Sequence, residues 1–323
     1  MDQITQSVLD EENGLPLMIQ PKNPDIDTIQ WISGQRAFLE EQLMKYGAVL
    51  FRGFPVQKPS QFEALAEAAC PDLYGDYGDL PPAEGKVYGV TPYPPDKIIL
   101  FHNESSHMHR WPTRQFFYCN LPAASGGMTP VVDCRRLYRA LDPDLAQEFE
   151  SKKLKYVRNF IKGVDVSWQD FFKTEDRKEV EAYCDRHNIV YQWKGDDDLA
   201  TYQIAPAVAT HPITGEKLLF NQIQLHHIAF LDTEVRQALL NLYSEEDLPR
   251  NVLFGDGKPI SNELALELEK LYWDHSVAFP WQSGDVLMVD NMLVAHARNT
   301  YEEPRKMYVA MGKIIHQSEI AES

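Results

Sequence analysis

Apolar and polar positions alternate along the chain in a way that separates three regions. Between residues 28 and 46, Ile29, Ile32, Phe38, Leu39 and Leu43 recur at helical spacing, which predicts one amphipathic helix ended by Gly47. Ala48-Val49-Leu50-Phe51-Arg52 follows as a short strand, and residues 61–69 form a second helix opened by Pro59-Ser60. Residues 71–96 are rich in Gly, Pro, Tyr and Asp and read as a long irregular connection, a length that tends to accompany function. Strand-like runs then occupy residues 98–102, 115–119 and 129–133.

From residue 141 to 192 the pattern is mostly helical and charged, clearest over 175–187, and Asp196-Asp197-Asp198 reads as a solvated turn. Beyond it come strand-like runs at 202–204 and 218–220 and helices at 233–243 and 261–273. Three further strand-like runs lie at 276–279, 285–289 and 306–311. Strands early and late, with a helical insertion at about 140–200, do not form alternating βαβ units. They predict a mainly β fold with peripheral helices (α+β), a double-stranded β-helix or jelly roll whose core strands come from both ends of the chain. No Pro/Gly/Ser-rich linker divides the sequence, so residues 1–323 read as a single domain.

Composition narrows the function classes. The 323 residues carry 31 Lys and Arg against 48 Asp and Glu, a net charge of −17, which argues against nucleic acid or an anionic membrane as partner. A hydrophobic fraction of 44% with 24% charged residues excludes wholesale disorder. Cys70, Cys119, Cys134 and Cys184 are far apart with no C-x-x-C pair, the usage of isolated reduced thiols. Met1-Asp2-Gln3-Ile4-Thr5 has neither a basic nor an apolar character, and no window approaches the roughly 18 apolar residues of a membrane span. A cytoplasmic protein is expected.

The candidate chemistry begins at His102-Asn103-Glu104, at the end of a strand-like run. Residues i and i+2 of a strand share a face, so His102 and Glu104 can converge on one ion. Ten His and 48 acids would give roughly 1.5 such pairs by chance, so this pair alone decides nothing. Downstream, Gly284-Asp285-Val286-Leu287-Met288-Val289-Asp290-Asn291 leads to His296 near a strand end, with Arg305 nine residues later. Two histidines and one carboxylate are the facial triad of non-haem Fe(II) oxygenases, which leaves three coordination positions open. An Arg with a hydroxyl partner suits a dicarboxylate co-substrate, and Thr129 in Gly126-Gly127-Met128-Thr129-Pro130 is the hydroxyl candidate.

These stretches resemble the Fe(II)/2-oxoglutarate-dependent dioxygenases of the taurine dioxygenase and clavaminate synthase-like superfamily. Within it, Phe101-His102-Asn103-Glu104, Trp111-Pro112, the Gly126–Pro130 run and Asp290-Asn291 are similar to syringomycin-pathway-type amino-acid hydroxylases. The resemblance brackets most of the chain, and residues 140–200 match nothing in it. It implies that His102, Glu104 and His296 bind Fe(II), that Thr129 and Arg305 hold 2-oxoglutarate, and that O2 is the second co-substrate. The spacing from His296 to the Arg is shorter than in taurine dioxygenase. Arg298 is therefore a rival to Arg305, though two residues from His296 on a strand it is poorly placed.

The implied reaction is C–H hydroxylation of a small polar substrate, yielding succinate and CO2. That substrate is an amino acid or an amino-acid-derived natural-product intermediate, free or tethered to a carrier protein. Desaturation or ring closure by the same chemistry, and a cupin-like metal hydrolase or isomerase, are the alternatives. Related halogenases lack the carboxylate that Glu104 supplies. Val309 stands where some relatives hold a substrate anion with Arg, which speaks against a taurine-type sulfonate. Candidate substrate contacts are Asn221, Ser105 and His107; Lys86, Lys97, Arg110 and Arg114 are candidate partners for a substrate carboxylate. His109 reads as a loop residue and His226-His227 as a packed pair.

Overall fold

The computed structural model describes residues 2–75, 82–90, 92–161, 163–195 and 197–320. The chain opens with the strands β1 (Ile4–Val8) and β2 (Leu17–Pro21), then the helices α1 (Thr28–Gly34) and α2 (Arg36–Tyr46), strand β3 (Ala48–Phe51) and helix α3 (Pro59–Ala69). The strands β4 (Pro82–Glu84), β5 (Val87–Gly89), β6 (Ile99–His102), β7 (Arg110–Leu121) and β8 (Val131–Asp133) follow. Helices α4 (Cys134–Ala140) and α5 (Pro143–Lys152) lead to β9 (Leu154–Phe160), α6 (Trp168–Phe172), α7 (Arg177–Arg186), β10 (Val190–Lys194) and β11 (Asp198–Ala205). The last third holds β12 (Val208–Thr210), β13 (Lys217–Leu219), α8 (Ile223–His226), α9 (Thr233–Leu242), β14 (Arg250–Phe254) and α10 (Asn262–Asp274). It ends in β15 (Val286–Asp290), β16 (Val294–Arg298) and β17 (Lys306–His316).

Eight strands form the main sheet in the order β1-β2-β3-β15-β7-β17-β5-β4, and β6-β16-β8 form a smaller one. Strands from both ends of the chain are thus interleaved, the jelly-roll arrangement that the pattern predicted. Side chains alternate cleanly across the main sheet, as a pleated strand demands. Val49, Phe51, Phe116, Tyr118, Val286 and Met288 turn to one face, where Trp31, Ile32, Leu39, Leu43, Phe62 and Leu65 of α1–α3 cover them. Leu50, Phe117, Leu287 and Val289 turn inward and join Val131, Val132 and Ala295 of the smaller sheet. Because both faces are covered, these strands are apolar throughout rather than half polar.

Three expectations change. Residues 28–46 form two helices, since Gly34 weakens the turn and Gln35 breaks it. The insertion at 140–200 is mixed: α5, α6 and α7 alternate with β9, β10 and β11, which pair with β14 in the order β10-β11-β9-β14. Its strands carry Lys155, Arg158 and Lys194 on partly exposed faces, so their pattern reads as charged helix. Residues 276–279 form no strand and make only a bridge from Val277 to Val131. Within 71–96 lie β4 and β5; residues 76–81 and Asp196 lie outside the described residues. The main core runs without interruption into the insertion through Leu154, Tyr156 and Val252. All four cysteines are free and buried, and among the described residues no helix is long and apolar enough to cross a membrane.

Candidate active site

The smaller sheet brings the two distant histidines together. β16 runs antiparallel to β6 with His296 directly opposite His102, their ring centroids 4.3 Å apart. His296 lies in the middle of its strand, one pairing further in than the expected strand end. Glu104 follows two residues after His102, and one ligand atom from each of the three side chains lies within 4.8 Å of the others. No other group of three His, Cys, Asp or Glu residues among the described residues meets that geometry.

His102 Nδ1 lies 2.9 Å from the Leu100 carbonyl, which only accepts, so Nδ1 carries a proton and Nε2 is the nitrogen left for an ion. Burial, and then the neighbouring His102, push His296 well below the ordinary imidazole range, which favours its neutral ring. Two imidazoles and a carboxylate on one side of a point fit a divalent iron with open positions.

Buried amides fix the loop between these ligands. Asn291, fully buried, accepts from the Glu104 N–H at 2.7 Å and donates to the carbonyls of Glu104 at 2.9 Å and Pro112 at 2.8 Å. Asn103 donates to the Asn291 carbonyl at 2.7 Å, and Gln222 Nε2 donates to the Asn103 carbonyl at 2.9 Å. Gln115 on β7 donates to Glu104 Oε2 at 3.4 Å. Ser105, buried directly after Glu104, has φ 56, a left-handed conformation uncommon outside Gly, Asn and Asp. These amide roles were open to the same reasoning that singled out Asn221, since a buried amide needs partners.

Arg305 immediately precedes β17 and lies against the glycine loop, its Nε donating to the Gly127 carbonyl at 3.1 Å. A Cβ on Gly127 would stand 3.0 Å from Arg305 Cδ and Nε, and Gly127 has φ 70, so only glycine suits that position. Among the described residues Arg305 has no carboxylate within ion-pair distance. Burial lowers its guanidinium to about 10, which keeps it charged at neutral pH. Thr129 is buried, and its Oγ1 accepts from Trp281 Nε1 at 3.1 Å. Arg298 does something else: it donates to the carbonyls of Tyr93 at 3.1 Å, Pro94 at 2.6 Å and Lys97, tying down the connection before β6.

Of the expected substrate contacts, His107 is partly buried beside the metal loop. Burial first, then Arg158, lowers it to about 4, so it is neutral at physiological pH. The Asn221 amide is already engaged, donating to Tyr272 Oη at 3.2 Å and accepting from the Ile223 N–H at 3.0 Å. Its backbone exchanges hydrogen bonds with Asn103, so it braces the metal loop from behind. The four cations expected near a substrate carboxylate point elsewhere. Arg114 is buried against Asp290 and Glu40, Lys86 pairs with Glu67, Lys97 lies 3.8 Å from Asp232, and Arg110 leans on Tyr74. His109 and His187 form a hydrogen-bonded pair at 2.9 Å.

Residues 13–311 match the family described as taurine catabolism dioxygenase TauD, TfdA family. The dapdiamide synthesis protein DdaC of Enterobacter agglomerans is 37% identical over 277 residues, covering 84% of each chain. A clavaminate synthase-like protein of Arabidopsis thaliana is 29% identical over 324 residues, covering 94% of this chain and 95% of its own. Among solved structures, a taurine dioxygenase from Burkholderia xenovorans superposes with a TM-score of 0.56 at 15% identity, covering 99% of this chain and 95% of that one. That likeness is one of fold.

Proposed function

The chain belongs to the TauD, TfdA family and is a non-haem Fe(II)/2-oxoglutarate-dependent dioxygenase, and from that premise we propose that it hydroxylates a C–H bond of an amino-acid-derived small molecule. The observation that carries the reading is the meeting of His102, Glu104 and His296 within 4.8 Å on paired strands. In this reading the three side chains hold Fe(II), and the whole chain acts as one catalytic domain. Arg305 and Thr129 bind the distal carboxylate of 2-oxoglutarate, the guanidinium fork matching its two oxygens. When bound, iron and 2-oxoglutarate supply the oxidising chemistry, with O2 consumed and succinate and CO2 released.

The chain's own residues do the orienting. Leu100 sets the His102 tautomer, and Gln115 and Asn291 hold Glu104 at the metal side of its loop. The glycine pair at 126–127 lets Arg305 approach the backbone closely. Phe117, 4.9 Å from His296, forms a dry wall beside that ligand. His107 and Ser105 lie on the substrate side, while Asn221 positions the loop that carries the ligands.

The relative named for dapdiamide synthesis supports a role in making a small molecule. The test is a screen of amino acids and N-acyl amino acids, read by O2-dependent succinate formation and by product mass. Succinate in proportion to a product heavier by one oxygen is the expected result. Turnover without O2 would instead mean a metal hydrolase or isomerase.

A further inference from the structure

A cavity of about 880 Å³ lies where the insertion meets the start of β7, and none of His102, Glu104, His296, Thr129 and Arg305 lines it. Its size falls in the range of about 300–1,000 Å³ that small-molecule sites occupy. It borders the metal loop, because only residues 105–108 separate Glu104 from His109 in its wall. Part of the wall is apolar. Val190 on β10 stands opposite Tyr202 on β11, so Ile204, two residues on, shares its face, and both side chains are exposed.

The rest of the wall is cationic, against the sign of the whole chain. Arg110 begins β7, Lys153 follows α5, and Arg186 ends α7. Among the described residues neither Lys153 nor Arg186 has a carboxylate within 4.0 Å. Arg110 keeps one long contact, its Nη2 3.4 Å from Tyr74 Oη. Glu150, the one carboxylate in the wall, is already taken up by Lys217 at 2.7 Å and Tyr138 at 2.5 Å. Both α5 and α7 end at this rim, and about half a negative charge at each helix end offsets one of the three cations, leaving roughly two. Lys153 has φ 60 and ψ −166, a region almost confined to glycine, so the turn from α5 into β9 carries a cation where backbone geometry favours no side chain. Burial, then His187 and Arg110, lower His109 to about 4, so its ring is neutral. In the tautomer in which His187 donates to His109 Nε2, the proton of His109 lies on Nδ1, a buried donor without a partner among the described residues.

We propose that this cavity binds an organic phosphate, its charged group met by the cationic rim of Lys153 and Arg186 and its apolar body laid on Val190 and Ile204. Roughly two surplus positive charges match a phosphate dianion, and Lys serves such a group as a point charge. A phosphate handle of the substrate and a separate phosphorylated effector share this chemistry. The site is independent of the dioxygenase reading, since it uses none of the residues that would hold iron or 2-oxoglutarate.

Calorimetry on the metal-free full chain tests it with phenyl phosphate, inorganic phosphate and phenol as probes. Phenyl phosphate is expected to saturate at one per chain and to weaken as NaCl rises. It should bind at least about fivefold more tightly than inorganic phosphate, and phenol should not bind measurably. Lys153→Gln and Arg186→Gln are each expected to weaken it by about fivefold or more, and Arg305→Gln to leave it unchanged. Melting curves report that each variant is folded. Absence of saturable phenyl phosphate binding, full affinity in both folded rim variants, or loss of binding in Arg305→Gln would overturn the assignment. Succinate formation with the amino-acid library then separates the two sources. Competition by phenyl phosphate marks a handle of the substrate, and a changed rate without competition marks an effector; either supports the site.

Discussion

Asn291 shows how much of the site depends on groups that never touch a ligand. Its side chain satisfies the N–H and carbonyl of Glu104 and the carbonyl of Pro112 inside the core. Asn291→Ala strands all three, and with one buried unsatisfied polar group costing about 1–3 kcal/mol, a loss of about 3 kcal/mol in urea unfolding is expected, with weaker iron binding. Gly127 tests the other half of the site. Gly127→Ala forces a Cβ against Arg305 at a φ that costs an L-residue about 1–2 kcal/mol. Its 2-oxoglutarate affinity, measured by anaerobic titration, is expected to fall by about tenfold or more; unchanged affinity would mean that Arg305 is not the clamp. At this scale the sequence was legible where residue type dictates chemistry: His102, Glu104 and His296 stand out by type and order, and the structure brings them together. The role of Arg298 was not, because only the fold brings it to the carbonyls of Tyr93, Pro94 and Lys97.

At the scale of elements, the strands that position the site are held by their ends. β8 ends at Asp133, whose carboxylate caps α4 through the N–H of Arg135 at 2.8 Å and pairs with the Arg135 guanidinium. Asp133→Ala is expected to cost about 2 kcal/mol, measured by thermal or urea unfolding, since a lost cap and a buried partner, Arg135, act together. The central strands of the main sheet were readable because both their faces are buried, which gives continuous apolar runs such as Val286–Asp290. The insertion was not, because β9 and β10 are short and partly exposed and carry Lys and Arg between their apolar residues. β14, the partner of β9, lies some ninety residues away, a long-range contact that no local period records. The break between α1 and α2 was equally invisible, since the apolar spacing continues across it.

Over the whole molecule, the charge of −17 and the chemistry of the site have opposite signs. In the proposed reading the anionic 2-oxoglutarate meets one local cation, Arg305, within a chain of negative net charge. His107 adds a pH dependence. His107 is lowered to about 4 in the folded protein, chiefly by burial, against an ordinary value near 6.5, so below that value the unfolded chain binds the proton and the folded one does not. Stability of the metal-free protein is therefore expected to decline as pH falls from about 6.5 towards 4. His107→Gln should flatten the decline, and melting temperatures across that range report it. The central claim, that the chain holds iron through His102, Glu104 and His296 and presents it to 2-oxoglutarate, is tested most directly by anaerobic titration with Fe(II) and 2-oxoglutarate. A weak visible charge-transfer band that saturates at one 2-oxoglutarate per chain, and is lost in His102→Ala, is the expected result. No band in the wild type, or an undiminished band in His102→Ala, would contradict it.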